Sequence, residues 1–250
     1  IQGSLSATLE EGSWISTSYL VAEIIMIPLT GWLISLLGLR RLSLWVTSGF
    51  LISSLLCSMA WSLNSMIAFR ALQGFTGGAL IPMAFTLAVL SVPPHVRAKT
   101  MAMFALTATF APAVGPTLGG WLTENWSWHY IFYINIPIGL LMLAGLMYSI
   151  DDEPPTWSLL KQTDYAGIVC LAIGLGCMQV FLEEGYRKDW LESDFIITLG
   201  VISFVCMGAF IILQLSREHP LLNLRILGDR NVGLGGVVSF LTGGGIDGTA

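Results

Sequence analysis

The sequence predicts an all-α, polytopic helical membrane protein. Three observations carry that prediction. Hydrophobic residues make up 54% of the chain and charged residues only 11%, against about 25% charged in soluble domains. The apolar residues gather in runs of about 20, the length that crosses a bilayer as a helix. The basic residues fall in alternate loops between those runs. Only helices and closed barrels satisfy their backbone in lipid, and runs this long and continuous are helical. The net charge of −5 decides little, because charge here matters loop by loop.

Eight runs are of spanning length or nearly so: Trp14–Leu37, Leu42–Trp61, Met66–Leu90, Thr100–Leu122, His129–Ser149, Tyr165–Leu182, Phe195–Leu215 and Val232–Ala250. The short loops favour antiparallel neighbours. Arg40 and Arg41, then Arg97 and Lys99, then Lys161, then Arg217, Arg225 and Arg230 lie on one side, and only Arg187 and Lys188 on the other. This bias makes the first side cytoplasmic. The residues before Gly12, with Glu10 and Glu11, then face outward. The first residue is Ile1 and residue 250 lies in an apolar run, which suggests a piece of a longer chain.

Run one carries Glu23. Ser16, Tyr19, Glu23 and Thr30 are spaced i, i+3, i+7 and i+14, which stacks them on one helical face. A buried carboxylate is raised by desolvation and lowered by a nearby cation, so it can be tuned to bind and release protons. Pro28 can bend this helix. Run two is nearly featureless and is expected to pack or to face lipid.

Run three, with the stretch Met66–Pro82 (MIAFRALQGFTGGALIP), organises the chain. Arg70 sits near its start, and an arginine in hydrocarbon costs about 2.5–3.5 kcal/mol on insertion scales. Gln73, Gly74, Gly77 and Ile81 share its face. The glycines admit a close neighbour, and Gln73 can bond the guanidinium or its partner. Either Arg70 snorkels to the interface or it is a functional charge.

Run four holds APAVGPTLGG. Ala111, Gly115 and Gly119 repeat every fourth residue and offer a groove to a partner helix, while Pro112 and Pro116 add kinks. Run five follows an aromatic belt of Trp126, Trp128, Tyr130 and Tyr133, and Asn135 and Pro137 interrupt it. The stretch Asp151–Pro155 (DDEPP) is a stiff acidic linker, and Asp164 is a helix N-cap for run six. Runs six and seven show no intramembrane charge and look like structural spans. The loop of residues 216–231 is amphipathic and suits the inner interface. Run eight is glycine-rich, and its Asp247 is a third intramembrane charge.

Other chemistries lack their residues. Cys57, Cys170, Cys177 and Cys206 all lie in apolar runs with no CxxC, so neither a disulfide framework nor a zinc site is expected. His95, His129 and His219 each stand without a second ligand or nucleophile, which argues against an enzyme and against a metal centre. No GxxxxGK[ST] phosphate loop is present, and no nucleic-acid partner is expected.

Together these residues resemble the major facilitator superfamily, and within it the fourteen-span drug:proton antiporters of the EmrB/QacA type. Residues 12–33 look like that group's second span. Gly31, Gly38, Arg40 and Arg41 in GWLISLLGLRR are similar to the superfamily's cytoplasmic gating loop. Ser35 stands where that pattern usually has Asp. Arg70, Gln73 and Gly74 match the fourth-span motif, whose arginine is implicated in proton coupling. Gly115, Pro116, Gly119 and Gly120, with Pro112, match the fifth-span antiporter motif of exporters. FYINIPIG (132–139) resembles the sixth span.

The resemblance implies residues 1–149 as an N-terminal six-helix half without its first span. Residues 150–231 become a linker and two extra central spans, and 232–250 the start of the second half. It implies export of a lipophilic, mostly cationic small molecule across the bacterial inner membrane by proton antiport, with the proton gradient as energy source and no cofactor. Arg70, Glu23, Gln73 and Asp247 are then the proton-coupling and cavity residues. In some members of the group a periplasmic adaptor protein and an outer-membrane channel complete the route. Another metabolite, a peptide or a siderophore is the alternative cargo.

Overall fold

The computed structural model describes residues 3, 7–90, 92–217, 220–230 and 232–238. Every regular element among them is helical. Six helices are long and apolar enough to cross a membrane, and a seventh qualifies as a bent pair. Of the eighth run, residues 232–238 are described and are helical, and the remainder, with Asp247, lies outside the described residues.

Helix α1 (Leu9–Leu37) starts at a capping box. The Thr8 hydroxyl accepts from the Glu11 N–H, and the Glu11 carboxylate accepts from the Thr8 N–H at 2.9 Å. At 29 residues it is about 43 Å long, ample for a bilayer. Pro28 lies inside it without ending it. A single residue, Gly38 at φ +79°, turns the chain into α2 (Leu39–Ser58). That left-handed value favours glycine.

Helix α3 (Leu63–Gly77) begins at a second capping box, from Ser62 and Ser65. It is followed, after a break at Gly78 and Ala79, by α4 (Leu80–Leu90). The two make one span, Leu63–Leu90. Helix α5 (Arg97–Asn125) bends by 40° where its segments Arg97–Ala111 and Ala113–Asn125 meet, at Pro112. The next span is α6 (Tyr130–Tyr133) plus α7 (Asn135–Ser149). Pro137 has no N–H to offer the Tyr133 carbonyl, which accounts for the interruption.

After the linker, Asp164 caps α8 (Tyr165–Gly185), its carboxylate accepting from the Gly167 N–H at 3.0 Å. Short turns lead into α9 (Asp194–Ser216).

The helices pack as a layer around α1. It lies against α3 on one side and α8 on the other, and α8 pairs with α9. Helix α2 lies against α3 and α7. Two apolar clusters fill the interior. One is Met26, Leu29, Leu42, Val46, Ala79, Met83, Leu171 and Phe210, and the other is Ile15, Cys57, Met66, Trp128 and Phe132. Outward faces carry Trp45, Leu141, Phe204 and other large apolar residues, as lipid contact requires.

Helix α2 is not the featureless span its composition suggests. Ser43, Thr47, Ser54 and Ser58 recur at helical spacing and are all buried. Small polar residues let helices approach and hydrogen-bond in lipid.

Candidate functional site

The α1–α3 contact builds the site. Gly74 and Gly78 sit one turn apart on the same span, facing Tyr19 and Glu23, one turn apart on α1. A Cβ at Gly74 would strike the Tyr19 carbonyl oxygen, and one at Gly78 would come 2.5 Å from the Glu23 carbonyl oxygen. At these two positions only glycine permits the approach.

That approach places Arg70 against α1. Its Nε donates to the Ile15 carbonyl at 3.4 Å, and Nη1 donates to Gln73 Oε1 at 2.8 Å. The guanidinium carbon lies 4.3 Å from the Tyr19 ring centroid and 6.0 Å from that of Phe132. A cation over aromatic faces is stabilised by about 0.5–2 kcal/mol, more as it is desolvated. Gln73, only 2% exposed, passes the network on. Its Nε2 donates to Ser54 Oγ at 2.7 Å, and Asn135 Nδ2 reaches the same oxygen at 3.4 Å. Arg70, Gln73, Ser54 and Asn135 thus tie α3, α2 and α7 together. Cys57 Sγ lies 3.7 Å from Gln73 Oε1.

Arg70 therefore does not snorkel alone. It is held by a backbone carbonyl, an amide oxygen and two rings. Among the described residues it makes no ion pair with Glu23. Glu23 lies one turn beyond Tyr19, half-buried on the same face of α1. The expected polar stripe divides at its ends. Tyr19 and Glu23 face α3, Thr30 is buried and donates to its own helix at Met26, and Ser16 is exposed.

The glycine motif of α5 is not brought to this site. A Cβ at Gly115, Gly119 or Gly120 would meet nothing within 4 Å, and Pro116 is exposed. Among the described residues no element packs on these glycines. The gating-loop residues gather at the opposite end of α1 from Arg70. Arg40 donates to the Met147 carbonyl at 2.9 Å. Arg41 makes a bidentate pair with Asp152 of the linker, both contacts at 3.0 Å. That hydrogen bond holds the Asp152 carboxyl below its ordinary range. Among the described residues Ser35 donates to the Gly31 carbonyl alone, and the carboxylate beside this loop comes from the linker.

Several members of the site carry little or no signal in the sequence. Ser54 and Asn135 complete the Arg70 network, and Gly78 shares the close approach with Gly74. Glu184, two residues beyond run six near the end of α8, is fully buried against α1. The small-residue spacing in α2 is the one available signal for Ser54.

The sequence profile described as Major Facilitator Superfamily matches residues 1–246. The chain belongs to the Major Facilitator Superfamily. It is 39% identical over 241 residues to the fatty acid resistance protein FarB of Neisseria gonorrhoeae, covering 96% of this chain and 47% of that protein. It is 38% identical over 235 residues to the multidrug export protein EmrB of Haemophilus influenzae, covering 94% and 46%. To the colistin resistance protein EmrB of Acinetobacter baumannii it is 36% identical over 243 residues, covering 97% and 48%. The chain thus spans about half the length of the curated relatives it matches. The superfamily expected from Arg70, Gln73, Gly74 and the α5 glycines is the one found.

Proposed function

We propose that this chain is the proton-coupling part of a transporter that exports lipophilic, mainly cationic compounds across the inner membrane by proton antiport. The observation that carries the reading is the Arg70 clamp. A permanently charged group is held between α1 and α3 by neutral partners, with a half-buried carboxylate, Glu23, one turn beyond Tyr19 on the α1 face that meets α3. A charge so held raises the local potential. It favours the ionised form of Glu23 when the two approach and the protonated form when they part. Proton entry is driven by about 2.3 kcal/mol per charge for each 100 mV. Competition of a proton and a cationic substrate for one carboxylate is enough for exchange.

In this reading residues 1–149 form part of the first half, α8 and α9 are extra central spans, and the second half supplies the far wall of the cavity. The end with Arg40, Arg41 and Asp152 is cytoplasmic, by its excess of basic residues. A periplasmic adaptor protein and an outer-membrane channel are the proposed partners for a route that crosses both membranes. The names of two relatives, for fatty acid and for colistin resistance, favour a second cargo class of amphiphiles with an alkyl chain on the same cavity.

The experiment uses the full-length protein in inverted membrane vesicles with an imposed proton gradient. Cationic dyes should dissipate the gradient with wild type and not with Arg70→Ala inserted to the same level. Dissipation by both proteins would sink the role of Arg70, and dissipation by neither would move the cargo to the fatty-acid class, tested in the same vesicles.

A further inference from the structure

Helix α1 has two working faces. Ile15, Tyr19 and Glu23 meet α3, as described. Ser13, Thr17, Val21 and Ile25, also four residues apart, meet α8. Two residues of offset is about 200° around a helix, so these faces are opposed. On the second face Glu184 is fully buried. Its Oε1 accepts from Ser13 Oγ at 3.0 Å and from Thr17 Oγ1 at 3.4 Å, with Arg187 Nη1 3.6 Å away. Its Oε2 has no hydrogen-bond partner among the described residues. Midway along α8, a Cβ at Gly176 would sit 3.4 Å from Ile25 and 3.6 Å from Val21, ordinary contact. Farther along, Trp32 Nε1 donates to Thr163 Oγ1 at 3.2 Å, and the Thr156 N–H donates to the Leu36 carbonyl at 2.8 Å. The exposed pair Lys188–Glu10, at 2.9 Å, closes the outer end.

A fully buried carboxylate with one unserved oxygen is costly in an apolar setting. Packing alone does not require it: each hydroxyl has one proton, shared between Glu184 Oε1 and a carbonyl of its own helix (Glu10 O at 2.8 Å for Ser13 and Ser13 O at 3.2 Å for Thr17), so the hydroxyls would be served without Glu184. What Glu184 adds is direction. It draws two hydroxyls, one turn apart, to a single point and so fixes the rotation of α1 about its axis. The same rotation sets where the Ile15 carbonyl and the Tyr19 ring stand against Arg70.

We propose that Glu184 is a positioning residue for the Arg70 site, acting through Ser13 and Thr17 to hold α1, with α8 and α9 moving as one body with α1. The docking stands on the contacts alone, and its effect on flux rests on the transport reading above.

The test uses the full-length transporter in proteoliposomes and measures a fluorescent lipophilic cationic dye exported per proton, a ratio that does not depend on how much protein folds. Glu184→Leu should lower the ratio at least about fivefold, within the range of ordinary coupling energies. Glu184→Gln should keep it, because the amide oxygen accepts from both hydroxyls. If Glu184→Leu does not fold, Ser13→Ala with Thr17→Val takes its place with the same expected loss. A disulfide between Val21→Cys and Gly176→Cys, in a background without other cysteines, reads the docking with no transport at all. It should form readily with Glu184 in place and in Glu184→Gln, and more slowly in Glu184→Leu. A folded Glu184→Leu protein with the wild-type ratio and the wild-type cross-linking rate overturns the proposal. Absence of proton-linked export in wild type would sink the transport reading and leave the cross-link to decide the docking.

Discussion

Substitution of Gly74 by alanine probes the contact on which the site depends. The added Cβ would strike the Tyr19 carbonyl oxygen and lie 2.8 and 2.9 Å from the Tyr19 carbonyl and α carbons. These are backbone atoms of a helix, so no side chain can swing aside. To reach ordinary contact, α1 and α3 must part by about 0.5–1 Å, and such a gap forfeits a quarter to a half of each dispersion well along the interface. Overpacking of this kind typically costs about 1–3 kcal/mol, and a backbone obstacle belongs at the upper end. Alanine returns about 1 kcal/mol through helix propensity. The net expectation is a loss of about 2 kcal/mol, or about 4–8 °C in the unfolding midpoint for a chain of this size. Gly145→Ala and Gly208→Ala are the controls, since a Cβ at either meets nothing within 4 Å. Thermal unfolding in detergent, followed by helical circular dichroism, should order the midpoints as Gly74→Ala below wild type and both controls at or above it. A Gly74→Ala midpoint at or above wild type would refute the close contact of α1 with α3.

Further expectations follow from the same geometry. Gln73→Leu removes the acceptor of the Arg70 Nη1 bond and the donor to Ser54, so it should destabilise by about 2–3 kcal/mol in chemical unfolding; a neutral result would show that the network is not holding Arg70. Glu23→Gln should flatten the pH dependence of substrate binding to the full-length protein, measured by dye fluorescence, and an unchanged profile would remove Glu23 as the proton carrier. Gly38→Ala forces an alanine to φ +79° and brings its Cβ 3.3 Å from the Glu153 carbonyl oxygen, so the unfolding midpoint should fall by the equivalent of about 1–2 kcal/mol. For Asp152 the carboxyl is held low by Arg41, so the folded form gains from the pair above the ordinary carboxylate range and loses it as pH falls through the lowered value. Asp152→Asn should therefore make stability less steep on the acid side of a pH titration of unfolding, and identical acid limbs would show that the pair contributes nothing.

The helices are legible in the sequence because lipid leaves the backbone few options. An apolar run of about 20 residues must satisfy its own N–H and C=O groups, and its length then marks the span. The breaks are legible where chemistry forces them, at Pro112 and Pro137. Arg70, Gln73 and Gly74 are legible as one face, because that spacing is a property of the helix alone. Ser54 and Asn135 are not. Which serine of α2 meets Gln73 is set by how α2 docks, and an isolated sequence does not hold that register. Glu184 lies just past run six in the sequence with nothing to single it out, because its burial depends on α1 lying over it. The α5 glycines suggest a close-packed helix face, and among the described residues no helix lies against them, because their spacing does not say which element would.

The joint at Gly38 has a practical consequence. One residue connects two spans, and the linker carbonyl of Glu153 lies over it. There is no slack there for a protease to bind or for an epitope to be inserted without separating α1 from α2. The acidic stretch of residues 151–156 is different, being irregular, largely exposed and tied down at Asp152 and Thr156. Probes and tags that must leave the helices undisturbed belong at Pro154 and Pro155, past the Glu153 contact with Gly38 and before the tie at Thr156, where the chain already runs near the surface.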